Sequence, residues 1–248
     1  DAIKAGEFKM YLQPQISAKT RRLTGAEALV RRIKPDGTII SPIDFIPVYE
    51  KSGLISRLDR YIWEQAAAKL GEWKKAGINM SISVNISPKD FYYIDIFNTF
   101  AGLIKKYDIE PSNLKIEITE TTIMSDVPNL MGELEELRKA GFTLEMDDFG
   151  SGYSSLNTLK DINVDVLKVD MGFIKETKNV KKSRIILASV IKMAKELNLL
   201  IITEGVETEE QVDNLTKLGC DVFQGYYFSK AIDINEFEKR YLYRKKAG

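Results

Sequence analysis

Short apolar segments recur along this chain, and their spacing predicts alternating strands and helices. Eight runs, rich in β-branched and aromatic residues and bounded by polar or turn residues, are typical of buried strands. Between the later runs, apolar residues recur at helical spacing, as Ile186, Val190 and Ala194 do. The predicted strands are 10–16, 23–30, 80–84, 114–118, 142–146, 166–169, 200–203 and 221–223, and the predicted helices are 61–75, 129–140, 183–197 and 209–218.

The connections between these elements predict the topology. Repeated strand–helix–strand units imply parallel strands, but only residues 17–22 separate the first two strands. A parallel crossover needs about a dozen residues or more, so this short link predicts an antiparallel hairpin. The length of 248 residues is typical of one α/β barrel. The sequence therefore predicts an α/β fold, a TIM-like (β/α)8 barrel with one antiparallel strand, in which residues 1–248 form a single domain.

The composition excludes several classes of chemistry. The chain has no histidine, which excludes Ser-His-Asp and Cys-His catalysis and histidine-ligated zinc. Its 36 basic and 36 acidic residues give a formal net charge of zero, so the basic surface that duplex nucleic acid requires is not expected. The single cysteine, Cys220, is predicted to be a small buried residue, and it fits a reducing cytoplasm. Any catalysis must therefore use carboxylates, lysine, amides and metal ions.

The N-terminus suggests a domain of a longer protein. The chain begins at Asp1 without an initiator methionine, and residues 2–8 resemble the end of a helix. No apolar stretch reaches the length of a membrane span, so we expect the domain itself to be cytoplasmic. Whether the full-length protein carries sensor modules or a membrane anchor stays open.

Polar side chains repeatedly follow or interrupt the predicted strands. Because the ends of parallel barrel strands meet on one face, we expect these side chains to converge there. Clustered carboxylates need cations, and oxygen ligands suit Mg²⁺ or Mn²⁺. The pattern predicts a hard-metal site at the mouth of the barrel, built from Glu27, Asn85, Glu117, Asp147, Asp148, Lys168, Glu204 and Gln224.

The segment 147–156, which reads DDFGSGYSSL, is the most specific of these motifs. Asp147 and Asp148 can share one site only if the backbone turns after the strand. The two glycines that follow supply the conformational freedom for such a turn. The alternative is a strand that ends in an ordinary polar turn.

Lys168 and Glu204 are the candidates for proton chemistry. Lys168 lies between apolar neighbours in a predicted strand, so it is either a cation among the carboxylates or part of a structural ion pair with Asp165 or Asp170. Glu204 ends the most apolar strand and is a candidate general base or metal ligand.

Four further residues have two interpretations each. Glu120 either braces the loop after Asp148 or is the N-terminal acid of a helix. Glu207 either contacts the site or caps the next helix. Asn85 offers a neutral oxygen ligand but is also a common turn residue. Gln224, followed by Gly225, indicates either a close backbone approach at a strand end or a plain turn.

Taken together, these residues resemble the EAL-domain family of cyclic di-GMP phosphodiesterases. The naming triplet is Glu27-Ala28-Leu29, and the other motifs occur in the family's order over nearly the whole chain. They are YLQP at 11–14, VNIS at 84–87, EITE at 117–120, the segment 147–156, LKVD at 167–170, EGVET at 204–208 and QGYYF at 224–228. The resemblance implies a barrel with one antiparallel strand that uses two Mg²⁺ or Mn²⁺ ions to cleave cyclic di-GMP to linear pGpG.

The resemblance also implies a role for each site residue. The first metal would be held by Glu27, Asn85, Glu117 and Asp147. The second would be served by Asp147, Asp148 and Glu204. Lys168 would orient the hydrolytic water, and Glu204 is the candidate base for that water. The remaining residues would act on substrate and loop: Arg31 on a phosphate, Gln13, Glu207 and Gln224 on the nucleotide, and Glu120 as the brace of the loop 147–156.

Partners and departures follow from the same resemblance. A homodimer and covalently linked sensor or other signalling domains are expected, so the chain is predicted to be part of a multidomain signalling protein. The sequence departs from the common family pattern at Arg32, Asp90 and Glu145, where Trp, Gln and an apolar residue are more usual. No predicted metal ligand is lost.

Two other functions compete with the enzyme. The first is a catalytically silent receptor module that binds cyclic di-GMP without turnover. The second is a barrel enzyme that uses Mg²⁺ and a lysine to abstract a proton next to a carboxylate. The second explains Asn85, Arg31 and the paired acids at 147 and 148 less well.

Overall fold

The computed structural model describes residues 2–125, 127, 129–150, 159–160, 162–170 and 180–243. The predicted loop 147–156 therefore lies outside the described residues from position 151 onward. The strands are β1 Phe8–Ser17, β2 Leu23–Ile33, β3 Ile39–Ile40, β4 Ile82–Asn85, β5 Leu114–Thr119, β6 Leu144–Asp147, β7 Val166–Asp170, β8 Leu200–Glu204, β9 Val222–Phe223 and β10 Ile232–Asp233.

Helices connect the strands along the chain. In the described ranges they are α1 Pro42–Ser52, α2 Ile55–Lys75, α3 Asp90–Tyr93, α4 Ile96–Tyr107, α5 Glu120–Ile123, α6 Leu130–Lys139, α7 Val180–Glu196, α8 Glu209–Leu218 and α9 Ile234–Phe237, with a 3-10 turn at Pro111–Asn113 and a π-helical turn at Glu238–Leu242. The longest described helix, α2, presents Trp63, Leu70 and Trp73 to the core. No helix in these ranges is both long enough and apolar enough to cross a membrane.

Eight strands close into a barrel. The strand order is β1-β9-β8-β7-β6-β5-β4-β2, and β2 pairs back with β1, while β10 and β3 lie outside this ring. Strand β1 is antiparallel to both β2 and β9, and the remaining neighbours in the ring are parallel. The predicted (β/α)8 barrel with one antiparallel strand, joined to the next by a hairpin, is confirmed.

The element predictions differ from the structure mainly at their ends. The eight predicted strands match β1, β2 and β4–β9 within three residues at each end, and the helix 209–218 is matched at both ends. Helix α2 begins at Ile55, six residues before the predicted start at Tyr61. The expected helix end at residues 2–8 is matched in part: Glu7 N–H donates to Ala2 C=O and Gly6 N–H to Ile3 C=O, both at 3.0 Å, with Gly6 at φ 70°, which is the hydrogen-bond pattern of a helix C-terminus, but Phe8 already belongs to β1.

Alternation along the strands divides the barrel interior into layers. The lower layer lies two strand positions before the carboxyl-terminal mouth. In this layer, Glu145 is fully buried and accepts hydrogen bonds from Ser83 Oγ at 2.9 Å and Lys115 Nζ at 3.0 Å. The apolar trio Val166, Ile202 and Val222 forms a separate buried cluster. Two positions further along the strands, the inward side chains reach the carboxyl-terminal mouth, where the candidate site lies.

Candidate active site

Lys168 stands at the centre of the barrel mouth. Its ammonium nitrogen lies 2.6 Å from Glu204 Oε1, 3.1 Å from Glu117 Oε2, 3.2 Å from Asp147 Oδ1 and 3.4 Å from Glu27 Oε2. The lysine is 1% exposed and Glu117 is fully buried. The predicted convergence of strand-end acids on one face is therefore present. Asp165, one of the two partners considered for a structural ion pair with Lys168, is instead bound by Arg138 Nε at 3.1 Å.

Strand register explains why these side chains meet. Asn85 lies beside Glu117 in the β4–β5 pairing, and Thr119 lies beside Asp147 in the β5–β6 pairing. Except for Glu27, which lies in the middle of the longer strand β2, the cluster residues are the last or next-to-last inward positions of their strands. Because parallel strands of a barrel end at the same face, residues far apart in sequence come together there.

The electrostatics of the cluster are dominated by burial and by the excess of acids. Burial alone lowers the pKa of Lys168, but the attraction of Asp147, Glu117, Glu204 and Glu27 outweighs it and raises that pKa well above the usual range. Burial, followed by the neighbouring charge of Glu27, raises the pKa of Glu117 well above its ordinary value. Burial also raises the pKa of Glu204 to about 8, although Lys168 opposes this shift. The lysine is therefore charged, and the acids compete for one cation.

The residues present fit a hard metal ion in charge and donor chemistry. Four carboxylates surround one ammonium group, which leaves a large excess of negative charge when all of them are ionised. Glu117 Oε1 is buried and makes no hydrogen bond within the described residues, so its lone pairs are available to bind a metal ion. Among the described residues, no group of three or more acidic side chains is spaced as the ligands of one metal ion would be; four carboxylates instead contact the Lys168 ammonium group.

An amide network contacts both carboxylate oxygens of Glu27. Gln224 Nε2 donates to Glu27 Oε2 and, at 3.3 Å, to Gln13 Oε1. Gln224 Oε1 in turn accepts from Gln15 Nε2 at 3.2 Å. Asn85 Nδ2 lies 3.4 Å from Glu27 Oε1, a long hydrogen bond. Glu27 is thus held by neutral amides as well as by the lysine.

Gln15 is the residue of this network that the sequence reasoning missed. It is 1% exposed and orients the Gln224 amide. Its signal was available, because Gln15 follows Gln13 by two residues in a strand and therefore faces the same side. The lower-layer contacts of Glu145 with Ser83 and Lys115 were also not foreseen. Glu145, an unusual acid at this position, therefore has a hydrogen-bond partner and an ion-pair partner inside the barrel.

The backbone turns immediately after β6, as the paired acids require. Asp148 has φ 55°, a left-handed conformation, and its amide donates to Asp147 Oδ1 at 2.9 Å. Asp148 itself is exposed at the mouth. Phe149 N–H donates to Lys168 C=O at 3.2 Å, and Gly150 N–H donates to Glu120 Oε2 at 3.4 Å. Glu120 is both the first residue of α5 and a contact of the segment after Asp148, so its two interpretations coexist.

Two cavities flank Glu27 and Leu29. The larger, of about 420 Å³, is lined by Arg31, Asn85 and the apolar residues Ile62 and Trp63. The smaller, of about 380 Å³, is lined by Gln13, Glu204, Glu207, Gln224 and Tyr226. Thr208 rather than Glu207 is the N-cap of α8, in a capping box with Gln211, so Glu207 is not the cap that one interpretation required.

Arg31 and Arg32 point in different directions. Arg31 is partly buried, donates to Val30 C=O at 2.8 Å and lies 5.9 Å over the Tyr11 ring. Arg32, on the other face of β2, pairs with Glu7 at 2.9 Å and lies over Phe8. The departure at position 32 is therefore directed away from the larger cavity.

The close approach predicted at Gly225 is present. A Cβ atom at this position would lie 2.2 Å from the carbonyl oxygen of Val206. Val206 N–H donates to Gln224 C=O at 3.2 Å, and Tyr227 N–H donates to Val206 C=O at 3.0 Å. Glycine at 225 lets the chain after β9 pack against the chain after Glu204, and this contact sets the position of Gln224.

Comparison with known proteins places this geometry in a family. The sequence model of the EAL domain matches residues 1–231. The chain belongs to the EAL domain family. It is 36% identical over 239 residues to the signalling protein YkoW of Bacillus subtilis (strain 168), a match that covers 96% of this chain and 30% of YkoW. It is 36% identical over 252 residues to a probable cyclic di-GMP phosphodiesterase, PdeG of Escherichia coli (strain K12), covering 99% of this chain and 48% of PdeG.

A solved structure agrees closely with the fold. The structure described as the PaMucR phosphodiesterase in complex with c-di-GMP superposes with a TM-score of 0.88 at 33% identity, covering 95% of this chain and 96% of that chain. The chain spans 30% of the length of YkoW and 48% of PdeG, so these relatives carry further sequence. The solved relative that shares this fold is described as a phosphodiesterase.

Proposed function

We propose that this chain is a metal-dependent phosphodiesterase that hydrolyses one phosphodiester of cyclic di-GMP and releases linear pGpG. The observation that carries the proposal is the convergence of Glu27, Glu117, Asp147 and Glu204 on Lys168 at the mouth of an EAL barrel. A structural ion pair needs one acid for one base. Four acids around one lysine leave an excess of negative charge, which is expected where further cations and an anionic substrate bind.

The donor set favours two Mg²⁺ or Mn²⁺ ions. Carboxylate and amide oxygens are the ligands that such ions prefer. We assign Glu27, Asn85, Glu117 and Asp147 to the first ion. We assign Asp147, Asp148 and Glu204 to the second. When bound, the ions would supply Lewis acidity that makes water more acidic and would neutralise charge on the phosphodiester.

The protein's own groups handle the water and its proton. Glu204 is the proposed general base, because its carboxylate lies at the mouth beside the smaller cavity and its raised pKa suits proton exchange near neutral pH. Lys168 carries a fixed positive charge 2.6 Å from Glu204 and orients the attacking water by hydrogen bonding. Glu120 braces the segment after Asp148 through Gly150 N–H.

The two cavities suit the two halves of a cyclic dinucleotide. We assign a phosphate to Arg31, whose guanidinium remains a cation although burial lowers its pKa. Gln13, Glu207 and Gln224 line the smaller cavity and are the proposed nucleotide contacts there. The ring of Tyr226 lies at the rim of the same cavity, where it is 64% exposed. The substrate would thus cross Glu27 and Leu29, which line both cavities.

We also propose that residues 1–248 act as one domain of a larger signalling protein and form a homodimer. The further length of YkoW and PdeG supports the first of these proposals. Size-exclusion chromatography with light scattering tests the second, and a mass of one chain at micromolar concentration contradicts it.

The substrate is tested by chromatography of nucleotides after incubation with the purified protein. Cyclic di-GMP is supplied with Mg²⁺, with Mn²⁺ or with excess chelator, and cyclic di-AMP serves as the matched control substrate. Metal-dependent formation of pGpG from the guanine dinucleotide supports the proposal. Cyclic di-GMP that binds by calorimetry but stays intact under every condition contradicts the enzyme and indicates a receptor module.

A further inference from the structure

A second pair of acids lies outside the metal cluster, beside the larger cavity. Asp90, the first residue of α3, is fully buried. Its Oδ2 accepts the Ser87 N–H at 2.8 Å, and its own N–H donates to Ser87 C=O at 3.0 Å. These bonds close the turn between Ser87 and Asp90, which follows β4 and its last residue, Asn85. Asp90 Oδ1 is also buried but makes no hydrogen bond of normal geometry within the described residues.

The group that faces Asp90 is a second carboxyl. Asp59 of α2 interacts with the Asp90 side chain, is partly buried and lines the larger cavity. The other groups that act on the pair are the Ser56 hydroxyl from α2, the Ser87 N–H and the carboxylate of Glu50 from α1. None of these groups is a cation.

Two interacting carboxyl groups cannot both ionise at low cost when none of the other groups that act on them is a cation. Like charges at hydrogen-bonding distance repel strongly, and burial removes the water that would screen them. A single proton removes the repulsion. It also gives the unpaired Asp90 Oδ1 a hydrogen-bond donor, since a protonated carboxyl has one O–H group.

We propose that Asp59 and Asp90 share one proton at neutral pH. This acid–carboxylate pair is a positioning element, because it fixes the turn between Ser87 and Asp90 that follows Asn85. It also limits the negative charge in the larger cavity. The pair exists because the sequence departs from the common family pattern at position 90, where Asp90 stands in place of the usual amide. The pKa values agree in direction. Burial, followed by the charge of Asp90, raises the pKa of Asp59 well above its ordinary value, and burial raises the pKa of Asp90 to about 6.

Loss of the shared proton has a consequence for substrate binding, which rests on the function proposed above. The larger cavity already contains Glu27 and Glu50 and the cation Arg31. A second ionised carboxylate in the pair adds negative charge to the wall of this cavity. Binding of a dianionic dinucleotide would then weaken as the pH rises above neutral, through KM rather than through kcat.

The pair itself is tested without any activity measurement. Aspartate side-chain carboxyl signals are followed by ¹³C NMR between pH 3 and pH 9 in the wild type, with assignments from Asp59→Asn and Asp90→Asn. We expect the Asp59 and Asp90 signals to titrate together, with at least one proton retained above pH 6. Complete titration of both signals below pH 5 would overturn the proposal, whatever the enzyme does.

The pH dependence of unfolding gives a second readout. Because the folded-state pKa values are raised, the stabilisation is full below the unfolded-state pKa and is lost as the pH rises through the folded values. The folding equilibrium constant should fall by up to about tenfold per pH unit in this window for each retained proton. Asp90→Asn keeps the acceptor for Ser87 N–H and should flatten this slope. Asp44→Asn, an exposed neighbour on α1, should leave it unchanged.

The link to substrate is tested by the pH profile of KM. We expect KM for cyclic di-GMP to rise between pH 7 and pH 9 in the wild type, by about three- to tenfold, and to rise less in Asp90→Asn. An identical KM profile in both proteins, together with normal turnover, overturns the link to binding. If neither protein hydrolyses the substrate, the proposed function fails while the NMR result still decides the pair.

Discussion

Replacing Lys168 by methionine tests the electrostatic account of the site most sharply. Methionine has a similar length and no charge, so the change removes the ammonium group and keeps most of the packing. The variant would leave Glu27, Glu117, Asp147 and Glu204 facing one another without their shared cation. Glu117 has no exposed surface through which water could compensate.

The magnitude follows from the burial of the pair. At an effective dielectric constant of about 20, one contact near 3 Å corresponds to about 5 kcal/mol of coulombic attraction, most of which desolvation offsets. Removing one partner of a buried ion pair costs about 3–5 kcal/mol, because the other charge stays buried and unpaired. We expect the free energy of unfolding to fall by that amount at pH 8 in the presence of chelator.

The loss should depend on pH and on metal. Without the lysine, the folded-state pKa values of Glu117 and Glu204, which burial already raises, rise further, so protonation stabilises the folded variant at low pH and this stabilisation is lost as the pH rises. The deficit should therefore be smaller at pH 5 than at pH 8. Mn²⁺ or Mg²⁺ should restore part of the stability, because a divalent cation can replace the missing charge.

The assay is urea unfolding followed by circular dichroism, with and without metal. Lys192→Met is the matched control. Its side chain is 79% exposed and its ammonium nitrogen lies 3.9 Å from Glu196 Oε1, so a loss below about 0.5 kcal/mol is expected. A Lys168→Met variant within about 1 kcal/mol of the wild type in chelator at pH 8 would refute the reasoning, because the cited cost of an unpaired buried charge is several times larger.

Three further predictions concern single side chains. Glu204→Gln should lower kcat for pGpG formation by about 10²-fold or more with the fold unchanged by circular dichroism, whereas near-normal turnover would remove Glu204 as the base. Gly225→Ala should destabilise the protein by about 1–3 kcal/mol in urea unfolding, because its Cβ meets the Val206 backbone, while Gly102→Ala, with open space at its Cβ, should be neutral or stabilising. Lys115→Met should cost about 3 kcal/mol or more, because it leaves the buried Glu145 unpaired, and an unchanged unfolding midpoint would contradict that ion pair.

The barrel was predictable because each strand is a short apolar run and the one short link forces a hairpin. The prediction of residues 2–8 as a helix end holds as far as Gly6, whose positive φ ends the turn, and fails only at Phe8, where β1 begins. Ala2 and Ile3 of this turn pack on the small cluster around Phe8 and Phe45.

The site was predictable as a set of residues but not as a set of contacts. Strand-end position is enough to place Glu117 and Glu204 on one face, whereas Glu27 reaches that face from the middle of β2, which continues to Ile33. Which acids the lysine contacts depends on register between strands far apart in sequence, so Asp165 and Asp170 were equally plausible partners for Lys168. The roles of Gln15 and of the Asp59–Asp90 pair depend on contacts across more than one element, which no local pattern encodes.

The central claim is that the acids around Lys168 form a metal-dependent centre for hydrolysis of cyclic di-GMP. The most direct measurement is the initial rate of pGpG formation during a Mn²⁺ titration, compared between the wild type and Glu117→Gln, with free Mn²⁺ followed by electron paramagnetic resonance in the same samples. The account predicts no product in chelator, a rate that rises with bound Mn²⁺ in the wild type, and weaker Mn²⁺ binding with little product in the variant. Metal-independent hydrolysis, or equal Mn²⁺ binding and equal rates in the two proteins, would contradict it.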